Sequence, residues 1–253
     1  FIKNGGGEFR AHNTNSSFSK LVVNTGLFRA GNWSSTNWSD TIFGARPASF
    51  VADAITLNGG SIGASFNLFI TPNRGITLGA AGGHIDGSAG TTTVQSQISG
   101  VGAFNKTTGG TVIFEGENTY SGGTIINAGT IRIVADSGLG AVPGALDTLN
   151  ISLGGGTLDM TNNFTPNANR GITMTANSSL SVQANSTVTY NGVVNDGVDD
   201  FILTKSGTGK LIMGGENFHS GGTKLNGGIL AITLAEAIGS GQLHLASSSA
   251  EFQ

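Results

Sequence analysis

The segment NTYSGGTIINAGTIRI (residues 118–133) returns as NFHSGGTKLNGGILAI (217–232), a shift of 99 residues that preserves a strand-turn-strand grammar. A degenerate third copy, NSSFSKLVVNTGLFRA, begins at Asn15. ITLNGGSI (55–62) likewise matches ISLGGGTL (151–158), and NRGIT at Asn73 matches NRGIT at Asn169, both at a shift of 96. The insertion NDGVDD (195–200) separates the two shifts. A chain that repeats one unit along its length folds by stacking that unit, and such stacks are usually architectural. We therefore expect residues 1–253 to form a single solenoid, with repeats of approximately 1–103, 104–202 and a partial 203–253.

Short runs such as Ile55-Thr56-Leu57, Ile76-Thr77-Leu78, Ile131-Arg132-Ile133 and Leu243-His244-Leu245 alternate apolar with polar residues. Period two is the pattern of a half-buried strand, and no window carries apolar residues at helical spacing between capping signals. Glycine occupies 42 of the 253 positions. In strand interiors each would cost roughly 0.5–1 kcal/mol relative to Ala, so most are expected at turns with positive φ. Turn centres fall near Gly155, Asn177, Gly207, Gly227 and Ser248, evenly spaced but for one wider gap between Asn177 and Gly207. A period near twenty suits one coil of a parallel β-helix, in which strands of successive coils pair about 4.8 Å apart. The expected fold is all-β, a parallel β-helix (β-solenoid) of about a dozen coils. A β-sandwich is the competing all-β fold, but it gives no reason for turns to recur at 96 and 99 residues.

The string L-x-K-x-G-x-G-x-L-x-x-x-G-x-N-x-x-S-G-G-T-x-x-x-x-G-x-L, read here from Leu203 to Leu230 and less strictly from Phe104 to Ile131, resembles the autotransporter-associated β-strand repeat, or passenger-associated transport repeat, of bacterial surface proteins. GLGAVPGAL (138–146) and the two NRGIT segments are similar to the linking coils of the same proteins. The resemblance implies a right-handed parallel β-helix in the passenger of a large secreted protein, where it serves as a stalk and a transport aid on the cell surface or in the extracellular space. The distribution of charged residues leads us to expect no enzyme. Two alternatives stay open: a subunit of a self-assembling extracellular filament, and a β-helical carbohydrate-active enzyme.

Catalysis on such a helix needs two carboxylates about 5–9.5 Å apart, or an acidic calcium site with a basic neighbour. The 15 acidic residues are thinly spread, and Glu117 and Glu216 share one repeat position, as do Lys106 and Lys205. Recurrence is what an architectural residue shows. The densest acidic spot is Asp196, Asp199 and Asp200, whose residue types suit a weak calcium site but lack the EF-hand and nonapeptide calcium-repeat spacings, so a solvated loop is the simpler reading. No other cofactor is expected. His12, His84, His219 and His244 are scattered, and His219 fills the place of Tyr120, which reads as an outward ring in a turn.

Copy one carries seven extra residues in GNWSSTNWSD (31–40), which holds both tryptophans, Trp33 and Trp38. Indoles on a protruding loop could stack on glycans or a host-cell surface, and the alternative is that they cover an apolar flank of the helix. A net charge of −3, with only 11% charged residues, gives no basic stripe for nucleic acid and no cationic face for lipid. No apolar run approaches the roughly 18 residues of a membrane span. The absence of cysteine suits a chain exported unfolded. FIKN at residues 1–4 aligns with the repeat interior at 203–206, and neither end reads as a polar cap. We expect flanking coils of a longer parent chain, a partner subunit, or end-to-end copies to cover the ends.

Overall fold

A computed structural model describes residues 1–12, 16–31, 37–65, 67–87 and 90–253, with residues 37–39 placed by their backbone. Every strand pairing among the described residues is parallel, and the only helical stretches are three 3-10 turns, Asp40–Phe43, Asp136–Leu139 and Ala235–Ile238. These turns recur at the 96- and 99-residue shifts of the sequence. The chain is a parallel β-solenoid of about 11 coils. It divides into two compact units, one of residues 1–124 with 137–141 and the other of residues 125–136 with 142–253.

In the first unit each complete coil contributes one strand to each of three stacks. Leu21–Val23, Val51–Leu57, Arg74–Leu78 and Ile98–Gly100 pair in order in the first stack. Ile55 lies against Ile76 and Ile76 against Ile98, and these two nearly equal steps set the length of one coil. Leu27–Ala30, Ser61–Ala64 and Gly83–Asp86 form part of the second stack. Asn37–Ser39, Asn67–Ile70, Thr91–Val94 and Thr111–Phe114 form the third. Ile55, Ile76 and Ile98 are fully buried, so like residues meet like along the core. Each such side chain contributes about 1.5–3 kcal/mol by leaving water.

The second unit repeats the plan. Thr130–Ile133, Thr157–Met160, Ser178–Val182, Leu203–Ser206 and Thr223–Leu225 stack in register. Thr187–Tyr190, Lys210–Met213 and Gly228–Ile232 form another stack, in which Val188, Leu211 and Leu230 align and are buried. The insertion of copy one shows in the registers. Leu27 pairs with Ser61 and its counterpart Thr130 pairs with Thr157, and the first of these steps is longer by the length of the insertion.

Glycine usage differs from the expectation, because positive φ occurs at sixteen of the 42 glycines rather than at most of them. Others are there for close approach between coils. A Cβ on Gly102 would lie 1.9 Å from the Gly79 carbonyl oxygen, and one on Gly209 would lie 2.1 Å from that of Gln183. The backbones of adjacent turns touch where a side chain would stand.

Candidate functional site

Several of the polar residues that recur in the sequence are buried, and these close a turn or tie coils together. Lys106 and Lys205 are 0% and 1% exposed. Lys205 Nζ donates to the carbonyls of Ser206, Gly207 and Gly227 at 2.8, 3.0 and 3.0 Å, and Lys106 Nζ donates to those of Thr108 and Gly109. Lys3, aligned with Lys205 in the sequence, does the same with Asn4, Gly5 and Thr25. Each buried ammonium thus sits in a cradle of carbonyl oxygens that satisfies its donors. Burial lowers the pKa of Lys205, and of Lys106 against the opposing charge of Asp86, to about 8. Neither group is exposed for chemistry.

Asn118 and Asn217 went unremarked in the sequence, although their identity at a 99-residue shift marks them. Asn118 Oδ1 accepts from Ile98 N–H at 2.8 Å while Nδ2 donates to the Gly138 carbonyl at 2.9 Å. Asn217 bridges Val194 N–H and the Ala237 carbonyl in the same way. One amide therefore joins the coil before it to the coil after it. The NRGIT arginines are a second missed pair. Arg74, fully buried, reaches Asp40 at 3.1 Å and the carbonyls of Phe43, Gly44 and Ala45 at 2.9–3.1 Å. Arg170 is held by Asp136 at 2.7 Å and by Asn150 at 3.1 Å. The preceding asparagines, Asn73 and Asn169, donate to the carbonyls of Pro47 and Pro143. Burial pushes the Asp40 carboxyl upward, yet hydrogen bonds from Thr71 and the Arg74 charge together hold it below the usual carboxylate range.

Two sequence readings change on the structure. His219 is not an outward ring. It is 0% exposed and its Nε2 lies 2.9 Å from Thr223 Oγ1, as the Tyr120 hydroxyl lies 2.7 Å from Thr124 Oγ1. A buried ring that must meet one hydroxyl four residues on can be either residue type, which explains the exchange. Asp196 is not in a solvated loop. It is buried, its Oδ2 accepts from the N–H groups of Ser220 and Phe201, and Asp199 and Asp200 lie exposed beyond it, bonded to Ser220 Oγ. Asp196 clamps two turns. No group of three His, Asp or Glu residues among the described residues is arranged to hold a metal ion. The tryptophan insertion is described, apart from Gly31, only in its last residues. Trp33 lies outside the described residues, but the backbone of Trp38 pairs with Leu68, and Asp40 is buried under Arg74.

Burial lowers the pKa of His219 from its ordinary 6.5, with the Asp196 charge pulling the other way. The folded pKa lies below the unfolded one, so the unfolded chain takes up the proton first. Stability is lost as pH falls from about 6.5 toward the folded value, with a limiting slope of about 1.4 kcal/mol per pH unit. Urea denaturation at pH 7.5 and 5.0 should show that loss for the second unit, and His219→Tyr should remove the histidine contribution. An equal acid loss in the variant would assign the effect to other groups.

The passenger-associated-transport-repeat family matches residues 104–133 and 203–232. Over 185 residues, 73% of the chain, the sequence is 34% identical to the adhesin BmaC autotransporter of Brucella suis biovar 1 (strain 1330), and the match spans 5% of that relative's length. No solved structure matches. With a cradled lysine and a coil-bridging asparagine inside each matched segment, the chain is a β-solenoid carrying two passenger-associated-transport repeats, similar along most of its length to a stretch of an autotransporter adhesin.

Proposed function

We propose that this segment is an extracellular stalk within a secreted or surface-anchored bacterial adhesin, a scaffold rather than an enzyme. The observation that supports it is that buried polar groups recurring inside the repeats are consumed in closing turns and joining coils: Lys106 and Lys205 in carbonyl cradles, Asn118 and Asn217 across coils. The recurrent acidic pair, Glu117 and Glu216, is exposed at one matched position, as surface residues of a repeat are. No helix among the described residues is long and apolar enough to cross a membrane.

Two measurements test the reading. The chain offers trypsin twelve Lys and Arg residues, and a stalk should survive prolonged digestion because coils held on both sides open rarely. Incubation with polygalacturonate and other polysaccharides, with calcium added or chelated, should release no new sugar ends. Rapid fragmentation at sites within the coils, or calcium-dependent cleavage of a polysaccharide, would overturn the proposal.

A further inference from the structure

The two units differ at one patch of outward-facing strand. In the second unit Arg132, Asp159 and Ser181 occupy successive rungs at one register position. The Asp159 carboxylate is fully engaged, by Arg132 Nε at 2.6 Å and Gln183 Nε2 at 2.7 Å. The first unit has Arg29, Gly63 and Asp86 in those places. The carboxylate has moved one rung along, and Arg29 reaches past Gly63 to Asp86 at 2.6 Å while keeping Glu8 at 3.0 Å. The neighbouring position changes as well, from Thr130, Thr157 and Ser179 to Leu27, Ser61 and His84.

Beside these exchanges lies a groove of about 350 Å³ lined by Gly26, Gly59, Ser61, His84, Asp86 and Thr108 among others. That volume is in the range of small-ligand sites. Its chemistry selects the ligand by elimination. The nearby cations are committed, Arg29 between Glu8 and Asp86 and Lys106 in its carbonyl cradle, so an anionic ligand would meet the Asp86 charge with no cation to spare. The Ser61 hydroxyl donates to the Gly26 carbonyl at 3.1 Å, which leaves it an acceptor and not a nucleophile. His84 is half-buried, and burial lowers its pKa, so at pH 7 the ring is neutral and offers one donor and one acceptor. Hydroxyls, a neutral imidazole, a carboxylate edge and glycine backbone at Gly26 and Gly59 form a mixed donor and acceptor surface without net positive charge.

We propose that this groove binds a neutral sugar residue of a surface glycan. The inference does not rest on the stalk reading, since protease resistance and catalytic inertness are measured without any ligand.

The test is a printed array of neutral and sialylated oligosaccharides probed with the whole 253-residue chain, followed by calorimetry with the best neutral binder. Neutral glycans should be retained in preference to their sialylated counterparts. Two variants locate the site. Gly63→Asp with Asp86→Ser copies the second unit's arrangement and removes the groove's carboxylate, and His84→Ser copies the second unit's residue at the ring position. Each should weaken binding at least tenfold with an unchanged circular dichroism spectrum. Should the double variant misfold, His84→Ser, at a half-buried surface position, decides alone. Retention of no neutral glycan, preference for sialylated ones, or wild-type affinity in a folded variant would overturn the proposal.

Discussion

Replacing Arg74 with alanine should lower the unfolding free energy of the first unit by about 3–5 kcal/mol, the range for removing one partner of a buried ion pair. The loss has two sources. Asp40 is 0% exposed and, among the described residues, would keep Thr71 and the half-exposed Arg46 as partners. The carbonyls of Phe43, Gly44 and Ala45 would each lose a guanidinium donor, and a buried acceptor left without a donor costs about 1–3 kcal/mol. Arg74→Lys keeps the charge but cannot spread donors over four acceptors, so it should fall between wild type and Arg74→Ala. Both tryptophans lie in the first unit's sequence, so urea denaturation followed by their fluorescence reads this effect directly. The matched change, Arg170→Ala, should cost less, because the Asp136 side chain is 23% exposed and water can replace part of what is lost. Equal losses at the two arginines would refute the burial argument.

Asn217→Ala should cost the second unit about 2–5 kcal/mol. Both the Val194 N–H and the Ala237 carbonyl would be left buried, and these losses add because one side chain serves both. Asn217→Asp separates them. The carboxylate still accepts from Val194 but repels the Ala237 carbonyl, so the coil after Asn217 should loosen while the coil before it holds. Hydrogen exchange read by mass spectrometry is the suitable measurement: faster exchange at residues 235–240 in both variants, and at residues 193–195 in the alanine variant alone. Slow exchange throughout would mean the amide is not what binds the coils.

The coil architecture was legible because it is written in residues whose period is visible: the alternation of Ile55 to Leu57 and the returning turns mark strands and coil length without any partner being known. Lys106 and Lys205 were legible as architectural for the same reason. The direction of a side chain was not. Tyr120 and His219 sit among polar and glycine residues, and only the positions of Thr124 and Thr223 after the turn show that both rings point inward. Asp196 looked like a loop residue because its two partners, Ser220 and Phe201, are brought to it by the turn and by the next coil. Arg74 and Arg170 carried a signal that went unused: a guanidinium repeated in a chain so poor in charge must have a fixed partner. The groove was hidden because its lining comes from successive coils, Gly26, Ser61 and His84 among them, which sequence spacing alone does not juxtapose.

The asparagine bridges give the molecule a direction of assembly. Asn118 holds Ile98, one coil behind it, and leaves its other arm open until residue 138 arrives; Asn217 does the same between 194 and 237. At these two places the arriving turn finds a half-made clasp waiting. Because no clasp reaches much beyond one turn along the chain, little entropy is lost before each is rewarded, and growth can proceed by short increments.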